Sequence, residues 1–194
     1  QDGPVASLAP IAQDSTGVIL RVVNGEYKAV PHQIKNGEVS IYANANNEYV
    51  YSTDVVTFAD IEQLANKADI EFLASRYVVN GTSETTFEPS KSITRAQFGA
   101  MIARALNLTP TTETYYADTK GQWYEADIQA LYEAGITNAP GNFNPGATLS
   151  REHAAVFMHR VMSYIQKENV PAAPATTYAD QDKINASYAE AIAT

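Results

Sequence analysis

Two segments of the sequence place an arginine at the predicted first residue of a helix. SITRAQF has Thr94 directly before Arg95, and TLSREHA has Ser150 directly before Arg151. Threonine and serine are good N-caps because their side-chain oxygen accepts a hydrogen bond from an amide of the first helical turn. A cation in that turn is opposed by the helix dipole, at a cost of roughly 0.3 kcal/mol or more. We therefore expect each arginine to have a compensating partner.

The residues around Arg95 predict where its helix starts. Gln97 occupies the third helical position of a capping box, and Ile93 and Phe98 are placed to form a hydrophobic staple across the helix start. In the second copy, His153 stands where the box residue should be, and an alanine weakens the staple. Both helices are expected to begin at the arginine.

Two kinds of partner remain open for these arginines. An internal carboxylate, such as Asp60, Asp118 or an acid on a preceding helix, would tie neighbouring helices together. An external anion would instead use the free amides at a helix N-terminus together with the guanidinium fork. The residues alone favour the internal tie slightly, and both partners can exist together.

The composition fits one or two ordinary folded domains. The chain has 194 residues, of which 45% are hydrophobic and 18% are charged. A formal net charge of -9, with only 13 Lys and Arg residues, argues against nucleic-acid binding. No apolar run approaches the ~20 residues of a membrane span, so no membrane insertion is expected. Because the chain begins at Gln1 without the features of a signal peptide, we interpret it as a piece of a longer protein.

Patterns typical of enzymes and metal sites are not found in the sequence. Cysteine is absent, and the three histidines are scattered. YADQDKIN resembles the start of a calcium loop, but Asn185 and Ala191 replace the glycine and glutamate that such a loop needs. Glu84 and Glu88 lie in a turn-rich loop, where solvation is the simpler interpretation. We predict no enzymatic activity, no cofactor and no bound metal.

The second part of the chain repeats itself. Residues 58–81 align without a gap on residues 116–139, and the same unit restarts at residue 178. After a two-residue shortening, further positions match: Phe87 with Phe143, Pro89 with Pro145, Arg95 with Arg151, and Arg104 with Arg160. The sequence thus contains two complete repeats and the first third of another.

Periodicity predicts strands first and helices afterwards. Short Val, Ile and Tyr runs separated by two Asn-Gly pairs predict an antiparallel meander. Its strands are expected near residues 19–23, 27–30, 38–43 and 48–52. Each repeat then predicts two helices, the first near 61–76 and 122–134, and the second with apolar stripes for packing. The stripes comprise Phe98, Met101, Ile102, Ala105 and Leu106, and Phe157, Met158, Val161, Met162 and Ile165.

The repeated unit resembles an S-layer homology (SLH) repeat, and ITRAQ is close to that family's Ile-Thr-Arg-Ala-Glu signature. The resemblance implies an α+β chain in which a β meander precedes a helical bundle of repeats, with a pseudo-threefold arrangement that is incomplete here. The expected segments are 1–56, the end of a preceding β domain; 57–108, repeat 1; 109–114, a linker; 115–167, repeat 2; 168–177, a Pro/Ala linker; and 178–194, a truncated repeat 3.

The resemblance also implies roles for individual residues. Arg95 and Arg151 would contact an acidic group on a wall sugar, with Thr94 and Ser150 capping the helices beside it. Gly81 would let the backbone approach the ligand.

Trp123 would stack on a sugar face, with packing in the core or between subdomains as the alternative. The copies are unequal, since Ala139 stands where repeat 1 has Gly81 and the third unit ends before any arginine. The resemblance implies binding grooves between repeats, and at most one of them contains all of these residues. We expect it to be the groove of Arg95.

The function implied by the resemblance is non-catalytic anchoring of an extracellular protein to the bacterial cell wall. The expected partner is a secondary cell-wall polysaccharide attached to peptidoglycan and bearing acidic, pyruvylated sugars. Two alternatives remain: a structural module that packs against copies of itself or a neighbouring domain, and the anchoring tail of a larger surface enzyme.

Overall fold

The computed structural model describes residues 5–8, 17–35, 38–42, 47–138, 141–166 and 178–193. The chain forms two compact units. The first unit comprises Gln1–Lys91 and Met101–Leu108, and the second comprises Ser92–Ala100 and Thr109–Thr194. The fold is mixed α+β, as the sequence predicts. The expected Pro/Ala linker lies outside the described residues.

The strands form two three-stranded antiparallel sheets in the first unit. They are β1 (Val5–Leu8), β2 (Val18–Val23), β3 (Glu26–Ala29), β4 (His32–Lys35), β5 (Glu38–Tyr42) and β6 (Glu48–Ser52). Their orders are β1-β5-β4 and β3-β2-β6. The prediction of a single meander is wrong, because β6 pairs with β2 while β1 pairs with β5. Strands β1 and β4 are additional to those expected from the sequence.

Burial explains why the strands divide into two sheets. Ile19 of β2 lies in one buried cluster with Val39 and Ile41 of β5 and with Val30. Each sheet therefore buries one face against the other, whereas a single small sheet would leave its apolar face in water. The β2–β3 hairpin follows from the first Asn-Gly pair, which has the positive φ angles of a two-residue turn. The second Asn-Gly pair lies outside the described residues.

The strand region and the first repeat share a core. Ala29, the last residue of β3, is buried in the same cluster as Phe58, Ile61 and Ile70 of the repeat. The small sheets are thus stabilised by packing on the repeat that follows them.

In the described part of the chain, five α-helices belong to the two repeats and to the start of the third repeat. They are α1 (Lys67–Ser75), α2 (Arg95–Ala105), α3 (Glu125–Glu133), α4 (Arg151–Gln166) and α5 (Ala189–Ala193). Helices α1 and α3 begin later than predicted, and short 3-10 turns at Ala59–Ile61 and Ala117–Thr119 precede them. Within the described ranges, none of these helices is long and apolar enough to cross a membrane.

The first helices of both repeats end in the same backbone motif with different residues. Tyr77 has φ of 57° and Gly135 has φ of 71°. Tyr77 N donates to Ala74 O (2.9 Å), and Val78 N donates to Leu73 O (3.0 Å), a pattern that usually requires glycine at the left-handed position. A tyrosine there costs about 1 kcal/mol relative to glycine. The first repeat therefore holds a strained aromatic residue at the position that the alignment of the repeats places opposite Gly135.

The predicted starts of α2 and α4 are confirmed. Gln97 N donates to Thr94 Oγ1 (3.2 Å), and Thr94 N donates to Gln97 Oε1 (2.9 Å), which completes the capping box. The buried-stripe prediction is wrong for part of α4, since Met158 and Ile165 are 46% and 61% exposed. Ala105 of α2 is exposed as well.

In both repeats, an aspartate near the start of the repeat is hydrogen-bonded to the backbone of the Phe-x-Pro turn. Asp60 accepts hydrogen bonds from the amides of Phe87 (2.8 Å) and Glu88 (2.7 Å). In the second repeat, Asp118 accepts from Phe143 N (3.0 Å) and from the next amide (2.7 Å). These carboxylates therefore bind backbone amides, and within the described ranges neither of them forms an ion pair with the arginines.

The carboxylate of Asp60 should make the stability of the fold depend on pH. Hydrogen bonds from the amides of Phe87 and Glu88 lower the pKa of Asp60. A lowered folded-state pKa adds stability above the unfolded pKa of about 3.9, and that stability is lost as pH falls through the folded value. Thermal unfolding should show Asp60→Asn less stable than the unsubstituted chain at about pH 6, with the difference shrinking below about pH 4. A difference that stays constant down to about pH 2 would contradict this role of the carboxylate.

Candidate ligand-binding site

The starts of helices α2 and α4 lie side by side in the second unit. Thr94 and Thr148 form an antiparallel bridge. Leu149 N donates to Ile93 O (3.0 Å), and Arg95 N donates to Ala147 O (2.9 Å). The two signature segments recognised in the sequence are therefore neighbours in space.

The first amides of α2 are already hydrogen-bonded. Arg95 N donates to Ala147 O, and Ala96 N donates to Pro145 O (3.1 Å). Gln97 N and Phe98 N both donate to Thr94, through its hydroxyl and its carbonyl oxygen. The expectation of free amides at this helix N-terminus is therefore wrong, and an anion bound here would depend on side chains.

Arg95 is half-buried against two aromatic rings. Its Nε donates to Phe143 O (3.0 Å), and its Cζ lies 5.0 Å from the Phe143 ring centroid and 5.7 Å from that of Phe157. Within the described ranges, no carboxylate forms an ion pair with this guanidinium. The hydrogen bond from its Nε goes to a backbone carbonyl rather than to a carboxylate.

The surroundings of Arg95 explain its electrostatics. Burial lowers the pKa of Arg95, Tyr188 and Tyr116 raise it, and Arg160 lowers it further as a like charge. Asp118 also raises the pKa of Arg95 as an opposite charge, while its carboxylate oxygens accept hydrogen bonds from the Phe-x-Pro turn. The burial of the Arg95 guanidinium favours a bound anion, because a desolvated charge is stabilised by an opposite charge.

Arg160 and Tyr188 belong to the surroundings of Arg95, although the sequence did not assign them to the site. Arg160 is a residue of α4, and its guanidinium is held by a hydrogen bond to Ile136 O (3.3 Å). The alignment of Arg104 with Arg160 shows that an arginine recurs at this position of the second helix in each repeat, and this recurrence could have pointed to Arg160. Tyr188 comes from the third unit, and its position cannot be read from the alignment.

His153 links the start of α4 to Tyr188 of the truncated third repeat. His153 N donates to Ser150 Oγ (3.2 Å), and its Nδ1 lies 2.9 Å from the same oxygen. Its Nε2 is hydrogen-bonded to the Tyr188 hydroxyl (3.1 Å). Ser150 therefore caps α4 as predicted, with histidine in place of the missing box residue. Arg151 is exposed, unlike its half-buried counterpart in repeat 1.

Gly81 is explained by packing inside the first unit. A Cβ atom at this position would lie 2.4 Å from Phe58 Cε1 and 2.5 Å from the carbonyl oxygens of Ser83 and Thr86. Only glycine fits this contact. A role in ligand approach stays a prediction. Its counterpart Ala139 lies outside the described residues.

Trp123 lies at the surface, so the alternative of core packing is wrong. Its side chain is 62% exposed, and its ring meets Tyr124 edge-on at 5.1 Å. It lines an open cleft with Thr112, Thr114 and Gln129. Stacking on a sugar is compatible with this position and stays a prediction.

The family assignment follows from comparison with known sequences. The model of the S-layer homology domain matches residues 57–98 and 115–155. These segments are S-layer homology repeats, as the ITRAQ motif predicts. S-layer homology domains are non-catalytic modules that anchor proteins at the cell surface.

The relatives comprise surface enzymes and S-layer proteins. The chain is 35% identical to an amylopullulanase of Thermoanaerobacterium thermosulfurigenes over 168 residues, which are 82% of this chain and 9% of that protein. It is 43% identical to endo-1,4-beta-xylanase A of Thermoanaerobacterium saccharolyticum over 50% of this chain and 9% of that enzyme. It is 34% identical to the S-layer protein sap of Bacillus anthracis over 60% of this chain and 14% of that protein. The chain thus matches only a small part of each relative's length.

The packing of Gly81 predicts a large effect of a single methyl group. Gly81→Ala should lower the free energy of unfolding by about 2–3 kcal/mol, because the new Cβ would overlap backbone oxygens. Gly146→Ala is the matched control, since nothing lies within 4 Å of a Cβ there, and it should change stability by less than about 0.5 kcal/mol. Urea unfolding followed by circular dichroism measures both. Equal stability of the two variants would refute this packing role of Gly81.

Proposed function

We propose that this chain anchors a surface protein to the bacterial cell wall by binding an acidic polysaccharide without catalysis. The two S-layer homology repeats support an anchoring role. The partner is a secondary cell-wall polysaccharide joined to peptidoglycan, and the location is extracellular. The catalytic names of several relatives belong to those larger proteins and are not transferred to this chain.

The observation that carries the proposal is the half-buried Arg95 guanidinium, which forms no ion pair with a carboxylate within the described part of the chain. A desolvated charge is stabilised by a hydrogen-bonded anion, and a carboxylate can accept two parallel N–H donors from a guanidinium. A pyruvyl ketal on a sugar offers such a carboxylate. The rings of Phe143 and Phe157 hold the guanidinium in place, which favours a defined ligand geometry.

The other site residues support Arg95 in this proposal. Thr94 and Ser150 fix the helix starts, Arg160 adds a second positive charge, and Trp123 supplies a separate aromatic surface for the polymer. Exposed Arg151 contributes less, because a solvated cation gains little from one more charge partner.

The charge of the chain limits the type of recognition. A net charge of -9 gives no long-range attraction for an acidic polymer, so binding depends on local contacts. We expect only a modest decrease in affinity with added salt, since few charges are neutralised. The proposal keeps the division of the chain into the six segments predicted from the sequence. It also keeps the incomplete pseudo-threefold arrangement of the repeats.

Substitution of Arg95 tests the proposal directly. Arg95→Ala should weaken binding to purified wall polysaccharide by about tenfold or more, which corresponds to the loss of a charge-assisted hydrogen-bonded contact. Arg95→Lys keeps the charge without the planar fork and should also weaken binding. Arg151→Ala serves as the matched control at an exposed position and should lose less than about threefold. The measurement is sedimentation of the chain with wall polymer.

Equal binding by the unsubstituted chain and Arg95→Ala would refute the pocket. Circular dichroism of each variant checks that the fold is kept. Removal of the pyruvyl groups from the polymer by mild acid should weaken binding of the unsubstituted chain to the level of Arg95→Ala.

A second candidate function is contact with another copy of the chain. Met158 and Ile165 lie seven residues apart on one side of α4 and are both exposed. If this surface mediates association, sedimentation velocity should show dimers that disappear in Met158→Glu. A monomer over the whole measurable concentration range would contradict it.

A further inference from the structure

The first unit contains an open cleft that shares no residue with the proposed wall-polymer site. We call it the tyrosine cleft. Its lining includes Tyr27, Tyr51, Tyr77, Ser52, Asp54 and Ser75. We infer that the tyrosine cleft is a second carbohydrate site, which takes a neutral saccharide rather than an acidic one.

The strained backbone of Tyr77 is the first observation. Its φ of 57° belongs to a position that the second repeat fills with Gly135. The hydrogen bonds that end the helix are kept in both repeats, so the tyrosine is not needed for the helix end itself. Strain of this kind persists where the side chain has another use. Here the side chain lines the cleft and meets Tyr27 edge-on, with ring centroids 5.7 Å apart.

The tyrosine rings are accessible and held in place. Tyr27 is 46% exposed and Tyr51 is 39% exposed. The Tyr51 ring passes directly over Gly17, where a Cβ would lie 2.3 Å from its Cε2 and Cζ atoms. Rigid tyrosine side chains offer an apolar face together with a hydroxyl, which suits the apolar face and hydroxyl rim of a pyranose ring.

The polar groups of the cleft include a carboxylate and hydroxyls. Asp54 is exposed, and one of its carboxylate oxygens accepts from the Ser52 hydroxyl (3.2 Å). Its other oxygen is placed to accept from a sugar hydroxyl by a charge-assisted hydrogen bond. Ser75 is buried and accepts from Val56 N (3.0 Å), so it closes the floor of the cleft.

The charge of the lining selects the class of sugar. The lining contains Asp54 and neither lysine nor arginine. An acidic sugar would be repelled by this carboxylate, whereas a neutral sugar would lose nothing. The tyrosine cleft therefore differs in ligand class from the Arg95 site, and the two can be tested separately.

Calorimetric titration of the whole chain with cellohexaose, xylohexaose and chitohexaose tests the inference. At least one of these neutral oligosaccharides should bind with a Kd of about 1 mM or lower. Tyr77→Gly should weaken that binding by about tenfold or more while keeping the helix end, because glycine is the favoured residue there. Gly17→Ala should also weaken it, by displacing the Tyr51 ring without deleting it.

Two control variants distinguish the tyrosine cleft from the rest of the protein surface. Tyr164→Ala removes an exposed tyrosine of α4 outside the cleft and should leave the affinity for the oligosaccharide within about twofold. Arg95→Ala should leave it unchanged even where binding of acidic polymer is lost. The inference is overturned if none of the three sugars gives saturable binding, or if folded Tyr77→Gly binds as tightly as the unsubstituted chain.

Discussion

The carboxylate that opens each repeat holds two backbone amides of the Phe-x-Pro turn, and much of the rest of the structure depends on this contact. In the second repeat, Asp118 fixes the turn at Phe143. The carbonyl of that same residue accepts the hydrogen bond from Arg95, and its ring packs beside the guanidinium. Asp118 thereby positions the candidate site without forming an ion pair in it.

The two repeats differ in what compensates for the unfavourable position of an arginine at a helix start. Arg95 is half-buried and contacts a carbonyl and two aromatic rings, without an ion pair to a carboxylate within the described ranges. These groups hold the cation in position without neutralising its charge. Arg151 is exposed, so water compensates for its unfavourable position at the helix start. Equivalent signature residues therefore differ in their capacity to bind an anion.

Local rules predict the starts of α2 and α4 well, because the caps at Thr94 and Ser150 depend only on neighbouring residues, whereas the predicted starts of α1 and α3 are too early. The repeat is also visible in the sequence, since equivalent residues recur in order. The two sheets and the position of Tyr188 were not predictable, because they depend on which distant segments share a core. Likewise, the occupied amides of α2 could not be foreseen, since their acceptors lie in the second repeat, far along the chain. Tyr77 shows a further limit: residue type alone does not reveal a left-handed backbone at a tyrosine.

The most direct measurement of the central claim observes the Arg95 guanidinium itself. Side-chain N–H resonances of arginine can be followed by NMR while a pyruvylated saccharide is added to the whole chain. If Arg95 holds the acidic group, its signals should shift saturably, with those of Arg151 nearly unchanged. Binding of the saccharide with no change at Arg95 would contradict the claim.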